Sequence, residues 1–494
     1  MRQTLARLAR LTAGYSLVTL LGPLFTVFLT PIYTRILTPA DYGVVDVTLT
    51  LANFCVIVSV FGMDQALSAY FYDEKSPEHT RNLVTTTVIL GLGMGITLGI
   101  VMALSAEPLA VLLFKGTEKA NLLQLLSIHI ATAPIGAITL AALRLRMGIR
   151  RVNALALASL LTTVTANLVA VVGLQLKAAG VVAATVTASG VTAGLGLLLA
   201  WQPLHGRFDS ALARAMLKTG AGIALGVVSW SVLSNADRLL LTQFVSQTEL
   251  GLYSIANKLA TMAYVLLSAV WNAWWPLALE MAAQNRPDAP RQFSRLLELF
   301  VAGSAFIALA IGVFATDILG WFTRAIYIPA APYALMLLIY YGPMAMLGSG
   351  FQIGLYATKR TQWITVALTA GAVSNIAVNW LVLPRLGVWG AILATLCAGL
   401  VWLVCLYGPS QRSLFVPYRW GRLIAISCVY VLLVSLHLLP QPLLQGFLPR
   451  LVTLALFAGA IVLAGIVSPK ELRQAYQAMR QFSANLLAGH PPSP

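Results

Sequence analysis

The stretch Thr38-Pro-Ala-Asp41-Tyr-Gly43 is matched 208 positions later (246 − 38) by Ser246-Gln-Thr-Glu249-Leu-Gly251. At the same offset, two further pairs align, Arg151 with Lys359 and Asn167 with Asn375. An internal repeat of this length in an apolar chain is typical of transporters that are assembled from two similar halves. The repeat therefore predicts a two-lobed membrane protein with a cavity between the lobes.

The composition places the chain in a membrane. Of its 494 residues, 59% are hydrophobic and only 10% are charged, and the mean hydropathy is +0.83. Soluble domains carry about 25% charged residues. Successive apolar runs of about 20 residues are each long enough to cross a bilayer as a helix. We predict an all-α polytopic membrane protein of about fourteen transmembrane helices.

The predicted spans, among them 11–34, 42–69, 83–113, 250–280 and 293–322, divide the chain into five parts. Both lobes contain six helices, so the second starts on the same side of the membrane as the first, and the repeats are parallel. We expect them to be related by a pseudo-twofold axis along the membrane normal. The parts are an N-lobe at 1–201, a cytoplasmic linker at 202–215, a C-lobe at 216–408, helices 13 and 14 at 409–467, and a tail at 468–494. The tail is predicted as an amphipathic surface helix, with a frayed soluble segment as the alternative.

The positive charges fix the expected orientation. With the N-terminus on the cytoplasmic side, 23 of the 32 Lys and Arg residues fall in cytoplasmic segments and 7 on the opposite side. The positive-inside rule therefore predicts cytoplasmic N- and C-termini in a bacterial inner membrane. The two cations that remain, Arg238 and Lys258, lie inside predicted helices.

Other classes of protein find little support in the sequence. The net charge of +16 follows from the loop charges, and no basic run is interleaved with stacking aromatics, so we expect no nucleic-acid partner. The four cysteines lie in apolar spans without disulfide or metal-ligand spacing. We predict neither a metal nor a cofactor. A membrane-embedded enzyme acting on a lipid-linked sugar would need a carboxylate constellation in a large loop, which the sequence lacks.

Three stretches resemble a known family. They are Arg35-Ile-Leu-Thr-Pro-Ala-Asp-Tyr-Gly43, Asn235-Ala-Asp-Arg-Leu-Leu-Leu-Thr242 and Gly251-Leu-Tyr-Ser-Ile-Ala-Asn-Lys-Leu259. The chain resembles, over nearly its whole length, oligosaccharide flippases of the Wzx and polysaccharide-transport type. These belong to the superfamily of multidrug, oligosaccharide-lipid and polysaccharide exporters.

The resemblance implies alternating-access flipping of a polyprenyl-diphosphate-linked oligosaccharide for cell-surface polysaccharide biosynthesis. Membrane lipids, a polysaccharide polymerase and other assembly proteins are the implied partners. A cation-coupled multidrug exporter is one alternative, but the acidic residue usual in the first helix of those exporters is absent from Leu11 to Thr34. The lipid II flippase of peptidoglycan synthesis is another, but its early Arg-Asp motif is also absent, and Arg35 lies instead at a helix end.

Arg238 and Lys258 are the principal candidates for a diphosphate site. Burying a charge within a membrane is costly, so each should face a wet cavity or a partner. Both are expected roughly 10 Å from the periplasmic ends of consecutive helices. At the repeat offset their counterparts are the neutral Thr30 and Thr50. We predict that the two cations share one anion; the alternative is that Arg238 pairs with Asp237 or reaches outward to the interface.

Four further residues complete the candidate binding site. Asp237 could take up a proton as its surroundings alternate, whereas Asp46 and Asp64 are better explained by helix-end or ion-pair roles. Asn53 could hydrogen-bond a sugar. Trp271 could stack on a sugar ring with Asn272 beside it, although tryptophan also forms the ordinary interfacial belt.

Overall fold

The structure, a computed structural model, describes residues 29–71, 76–146, 148–200, 205–284, 287–439 and 446–466. These ranges contain helices and no strand. Twelve helical stretches among them are long and apolar enough to span a membrane, and Phe447–Leu463 is a shorter apolar helix. The predicted all-α multi-pass architecture is confirmed. Most of the first predicted span, 11–34, and the whole tail at 468–494 lie outside the described residues.

Seventeen α-helices are assigned within the described ranges. In chain order they are α1 Pro39–Val60, α2 Met63–Tyr70, α3 Pro77–Leu104, α4 Ala106–Phe114, α5 Ala120–Leu145, α6 Ile149–Asn167, α7 Lys177–Leu199, α8 Ser210–Leu241, α9 Gln247–Ala283, α10 Ala289–Val313, α11 Ala315–Phe322, α12 Ala331–Ile339, α13 Ala345–Ala357, α14 Gln362–Leu386, α15 Val388–Ser413, α16 Trp420–Leu438 and α17 Phe447–Leu463.

Several spans that the hydrophobic pattern predicts as single helices are interrupted. The predicted span 42–69 is divided between α1 and α2 at Phe61 and Gly62, which have φ values of 51° and 67°. This left-handed conformation ends a helix, and Gly62 adopts it without the steric penalty of a Cβ. The apolar run continues through the break, so hydropathy alone cannot locate it. The predicted spans 83–113 and 293–322 are also interrupted, at Ser105 and Phe314, but there the φ values are −93° and −96° and not left-handed.

The repeated motif that opens the sequence forms the same structure in both copies. Thr38 and Asp41 build a capping box at the start of α1, with Asp41 Oδ2 accepting from the Thr38 N–H at 3.2 Å. At the start of α9, Glu249 Oε2 accepts from the Ser246 N–H at 3.0 Å, and Ser246 Oγ accepts from the Glu249 N–H at 3.2 Å. Each box satisfies backbone donors that the first helical turn leaves unpaired.

The glycines of the two motif copies meet where α1 and α9 cross. A Cβ added to Gly251 would lie 1.8 Å from the carbonyl oxygen of Pro39, and one added to Gly43 would lie 2.6 Å from that of Gln247. Only glycine allows the two backbones to approach this closely. The repeat therefore places its two equivalent glycines against each other.

Replacing Gly251 with alanine is expected to destabilise the protein by about 3 kcal/mol, the upper end of the usual cost of overpacking, because the new methyl group meets backbone and not a flexible side chain. Gly222→Ala on α8 is the matched control, since nothing lies within 4 Å of a Cβ built there. Thermal unfolding of the two purified variants in detergent provides the comparison. Equal midpoints would contradict the close crossing.

The chain divides into two compact units. The first unit comprises Met1–Lys258, Leu319–Tyr333 and Ile364–Trp402, and it contains the α1–α9 crossing. Its α3 and α5 pack through the stripe Gly91, Gly95 and Gly99, where a Cβ at Gly95 would lie 2.8 Å from the Ala131 carbonyl oxygen. Such small-residue stripes let membrane helices pack at short range.

The second unit comprises Leu259–Ile318, Ala334–Trp363 and Leu403–Pro494. Trp271 is buried there in an aromatic and aliphatic core. In the same unit, Arg450 of α17 pairs with Asp317 of α11 and lies over the Phe314 ring, 5.7 Å from its centroid. The bounds of these two units differ from those of the two predicted lobes, 1–201 and 216–408. The division into lobes stays a prediction.

Candidate substrate-binding site

A polar seam runs between α1 and α8 within the first unit. Asp46, Thr50 and Asn53 are spaced by four and three residues, so they share one face of α1. Ser231 and Arg238 are seven residues apart and share one face of α8. Asn53 Nδ2 donates to Ser231 Oγ at 3.4 Å, and Arg238 Nη1 donates to Thr50 Oγ1 at 3.4 Å. The helices are therefore antiparallel along the seam.

Arg238 is the centre of this seam. Its Nε lies 3.2 Å from Asp46 Oδ2, and its Nη2 donates to Asn257 Oδ1 of α9 at 2.6 Å. The side chain is 13% exposed and that of Asp46 is 23% exposed. Three helices therefore hold one guanidinium group, and its planar fork of donors suits such a site.

The partner of Arg238 is not the neighbouring aspartate. Asp237 is 2% exposed and accepts from the Tyr253 hydroxyl and, at 2.9 Å, from the backbone N–H of Arg238. The alternative pairing of the Arg238 guanidinium with Asp237 is replaced by a pair with Asp46, for which the sequence favoured a helix-end or ion-pair role. Neighbours in sequence point in different directions from a helix, which explains why Asp237 and Arg238 find different partners.

Lys258 follows Asn257 on α9 and completes the charged group. It is half-buried and forms no hydrogen bond or ion pair in the part of the chain that the structure describes. Asn257, directly before it in the sequence, accepts the hydrogen bond from Arg238 Nη2. Arg238 is therefore ion-paired with Asp46, Lys258 adds a second cation on the neighbouring helix, and Asp237 is held by separate donors.

The depth estimated for the two cations needs correction. Arg238 is three residues from the end of α8 at Leu241, and Lys258 is eleven residues after the start of α9 at Gln247. The equal depth predicted for the two cations depended on helix ends that differ by a few residues from those in the structure. The hydrogen bond from Arg238 to Asn257 nevertheless brings the two segments together.

The remaining predicted residues are found in different places. Asn53 is exposed on the seam side of α1, one turn beyond Thr50. Trp271 belongs to the second unit, where its ring lies 5.4 Å from that of Phe300 and 5.9 Å from that of Trp275. The side chain of Asn272 lies outside the described residues. Arg238 and Asn53 thus lie on the seam, and Asp237 and Lys258 are the sequence neighbours of Arg238 and Asn257.

Sequence reasoning did not place four residues found here in the candidate site: Thr50, Ser231, Asn257 and Tyr253. The sequence contained an indication for Thr50, since it is the counterpart of Lys258 in the repeat. It also contained one for Asn257, because a polar residue within a membrane helix usually faces the bundle interior. Among the described residues no group of His, Cys, Asp and Glu side chains could hold a metal ion.

The fold is that of a multi-pass membrane transporter. The chain is similar to a solved structure of the lipid II flippase MurJ in its inward closed conformation, with a TM-score of 0.68 and 15% identity, covering 92% of this chain and 99% of that one. It is also similar to an inward-facing multidrug resistance MATE family transporter of the MOP superfamily, with a TM-score of 0.62 and 14% identity, over 80% and 94% of the two chains. Identities this low establish the fold alone.

Residues 32–328 match the family model described as polysaccharide biosynthesis protein, and the chain belongs to this family. The family predicted from the three quoted stretches is confirmed. A curated relative is the succinoglycan biosynthesis transport protein ExoT of Rhizobium meliloti (strain 1021), which is 28% identical over 271 residues. That alignment covers 53% of this chain and 52% of the relative, so it spans about half the length of the transport protein.

Proposed function

We propose that this protein is a flippase that moves a polyprenyl-diphosphate-linked oligosaccharide from the cytoplasmic to the periplasmic leaflet for cell-surface polysaccharide biosynthesis. Family membership and the relative named as a succinoglycan transport protein support a polysaccharide cargo. The similarity to flippase and exporter folds supports transport by alternating access, which requires no covalent chemistry.

The observation that carries the proposal is the Arg238 guanidinium group, which Asp46, Thr50 and Asn257 hold between three helices, with Lys258 next to Asn257 on α9. A diphosphate offers several anionic oxygens, which could accept from the Arg238 fork and from the Lys258 point charge together. Asp46 would neutralise Arg238 in the empty state and give way to the diphosphate when the substrate arrives. Asn53, exposed one turn beyond Thr50, is available to the first sugar.

The membrane arrangement is part of the same proposal. The distribution of Lys and Arg supports an inner-membrane protein with both termini in the cytoplasm. The pairing of the repeated glycines at the α1–α9 crossing supports a pseudo-twofold axis between the two predicted lobes. Asp237, Trp271 and Asn272 remain proposed contacts of the headgroup, and a polymerase and other assembly proteins remain proposed partners.

The test is a flipping assay with the full chain reconstituted into liposomes. Polyprenyl-diphosphate-linked oligosaccharides, lipid II and cationic drugs are presented separately, and the fraction moved across the bilayer is measured for each. We expect flipping of the lipid-linked oligosaccharide at least about tenfold faster than that of lipid II, a preference of about 1.4 kcal/mol. Equal flipping of lipid II, or drug export driven by a cation gradient without oligosaccharide flipping, would refute the proposal.

A further inference from the structure

A second group of charges lies in the second unit, apart from the residues of the seam in sequence. Glu298 of α10 is fully buried, and three arginine side chains surround it. Arg295 Nη1 lies 3.0 Å and Arg422 Nη1 3.3 Å from Glu298 Oε2, and Arg419 Nε lies 3.7 Å from Glu298 Oε1. Among the described residues, this one carboxylate therefore faces three guanidinium groups.

The three arginine side chains remain partly exposed although they contact Glu298. The side chains of Arg295, Arg422 and Arg419 are 27%, 33% and 57% exposed. Arg419 and Arg422 also lie at the start of α16, whose first turn contains no acidic residue. The backbone N–H groups at a helix N-terminus carry partial positive charge, so a cation there is disfavoured unless an anion accompanies it. Glu298 supplies one negative charge, and the site can accept another.

Exposed aromatic residues flank Arg419 in the sequence. Phe415 is 71% exposed and Trp420 is 40% exposed. Trp420 Nε1 donates to the Tyr407 hydroxyl at 3.3 Å, and the two rings meet edge to face at 5.1 Å. Aromatic side chains of this kind are typical of the level where lipid headgroups meet the acyl chains.

The connection between α15 and α16 holds this arrangement in place. Ser294 Oγ donates to the Pro417 carbonyl at 2.9 Å. Gln411 accepts from the Val416 N–H at 3.0 Å and donates to the Val416 carbonyl at 3.1 Å. The segment that carries Arg419 is therefore fixed against α10, so the guanidinium groups are positioned before any ligand binds.

We infer that Arg295, Arg419 and Arg422 bind the phosphate of an anionic membrane phospholipid, with Trp420 and Phe415 against its acyl chains. A phosphodiester matches the planar donors of arginine and the positive end of α16. The exposed aromatic side chains favour a lipid over a free phosphate ion, because a phosphate ion has no apolar part that could contact them. The site is independent of the proposed transport of oligosaccharide.

The inference is tested by titrating phosphatidylglycerol into the purified full chain in detergent and measuring lipid binding by native mass spectrometry, with phosphatidylcholine, which is zwitterionic and has no net charge, as the comparison. Each basic side chain that contacts an anionic headgroup is expected to contribute about a fivefold change in affinity for the lipid. Arg419→Gln and Arg422→Gln should therefore each weaken phosphatidylglycerol binding about fivefold. Arg412→Gln, an exposed arginine on α15, is the matched control and should leave binding unchanged.

Glu298→Gln separates a lipid site from a purely structural ion cluster. Removing the Glu298 carboxylate, the acidic partner that the three arginines share, should tighten phosphatidylglycerol binding about fivefold, even if the variant is less stable. A cluster that serves stability alone would show no gain in affinity. Equal binding of phosphatidylglycerol and phosphatidylcholine, or full competition by millimolar inorganic phosphate, would overturn the inference. Because the readout is binding and not flipping, failure of the proposed transport function would leave this test unaffected.

Discussion

Arg238→Ala is expected to reduce flipping of the lipid-linked oligosaccharide about a hundredfold, because it removes a set of charge-assisted hydrogen bonds worth about 3 kcal/mol to a diphosphate. Lys258→Ala should reduce flipping at least about tenfold, since a single point charge is lost. Arg238→Lys should restore only part of the rate, because an ammonium group cannot reach Asp46, Thr50 and Asn257 at once. Initial flipping rates in proteoliposomes with equal amounts of inserted protein provide the measurement.

A loss of activity in Arg238→Ala has a competing explanation. The substitution leaves Asp46 without its ion-pair partner, and an unpaired carboxylate between membrane helices destabilises the fold. The double variant Arg238→Ala/Asp46→Asn removes both charges and should unfold at nearly the wild-type temperature while still failing to flip. Wild-type flipping by this double variant would show that the guanidinium group is not needed for transport.

Two features of the sequence made Arg238 and Lys258 candidates, the cost of a buried charge and the asymmetry of the repeat. Each is a cation within an apolar helix, and the repeat has neutral threonines at both equivalent positions. The sequence could not predict the Asp46 partner, since nothing in it shows that α1 and α8 pack side by side. Asn53 of α1 and Ser231 of α8 are 178 positions apart in the sequence, and only the fold makes them neighbours.

The helix breaks were also beyond the reach of the sequence pattern. Hydropathy sums over a window, and the run around Phe61 and Gly62 stays apolar while the backbone turns. The repeated motif, by contrast, also contained information about where helices begin. Thr38 with Asp41, and Ser246 with Glu249, have the spacing of a capping box, which marks the start of a helix. That signal would have placed the start of α9 at Gln247, three residues before the predicted bound of 250.

Asp46→Asn is expected to change binding and turnover in opposite directions. In the proposed empty state Asp46 occupies Arg238 at 3.2 Å, so an incoming diphosphate must compete with an internal carboxylate. Removing that charge should tighten binding of farnesyl diphosphate, a short soluble prenyl diphosphate, about tenfold, which corresponds to about 1.4 kcal/mol. Flipping should slow about tenfold, because release then lacks the competing anion and tighter binding of the substrate alone does not accelerate the cycle.

Asp41→Asn is the matched control on the same helix. Asp41 closes the capping box with Thr38 and belongs to no ion pair in the described chain, so this substitution should cost about 1 kcal/mol of stability and leave the affinity for farnesyl diphosphate unchanged. An ion pair that only fastened α1 to α8 would behave differently in Asp46→Asn: stability and affinity would both fall, since the guanidinium group would lose its orientation. Calorimetric titration of wild type, Asp41→Asn and Asp46→Asn with the same probe distinguishes the two roles. Weaker binding by Asp46→Asn would show that the carboxylate orients Arg238 and does not compete with the substrate.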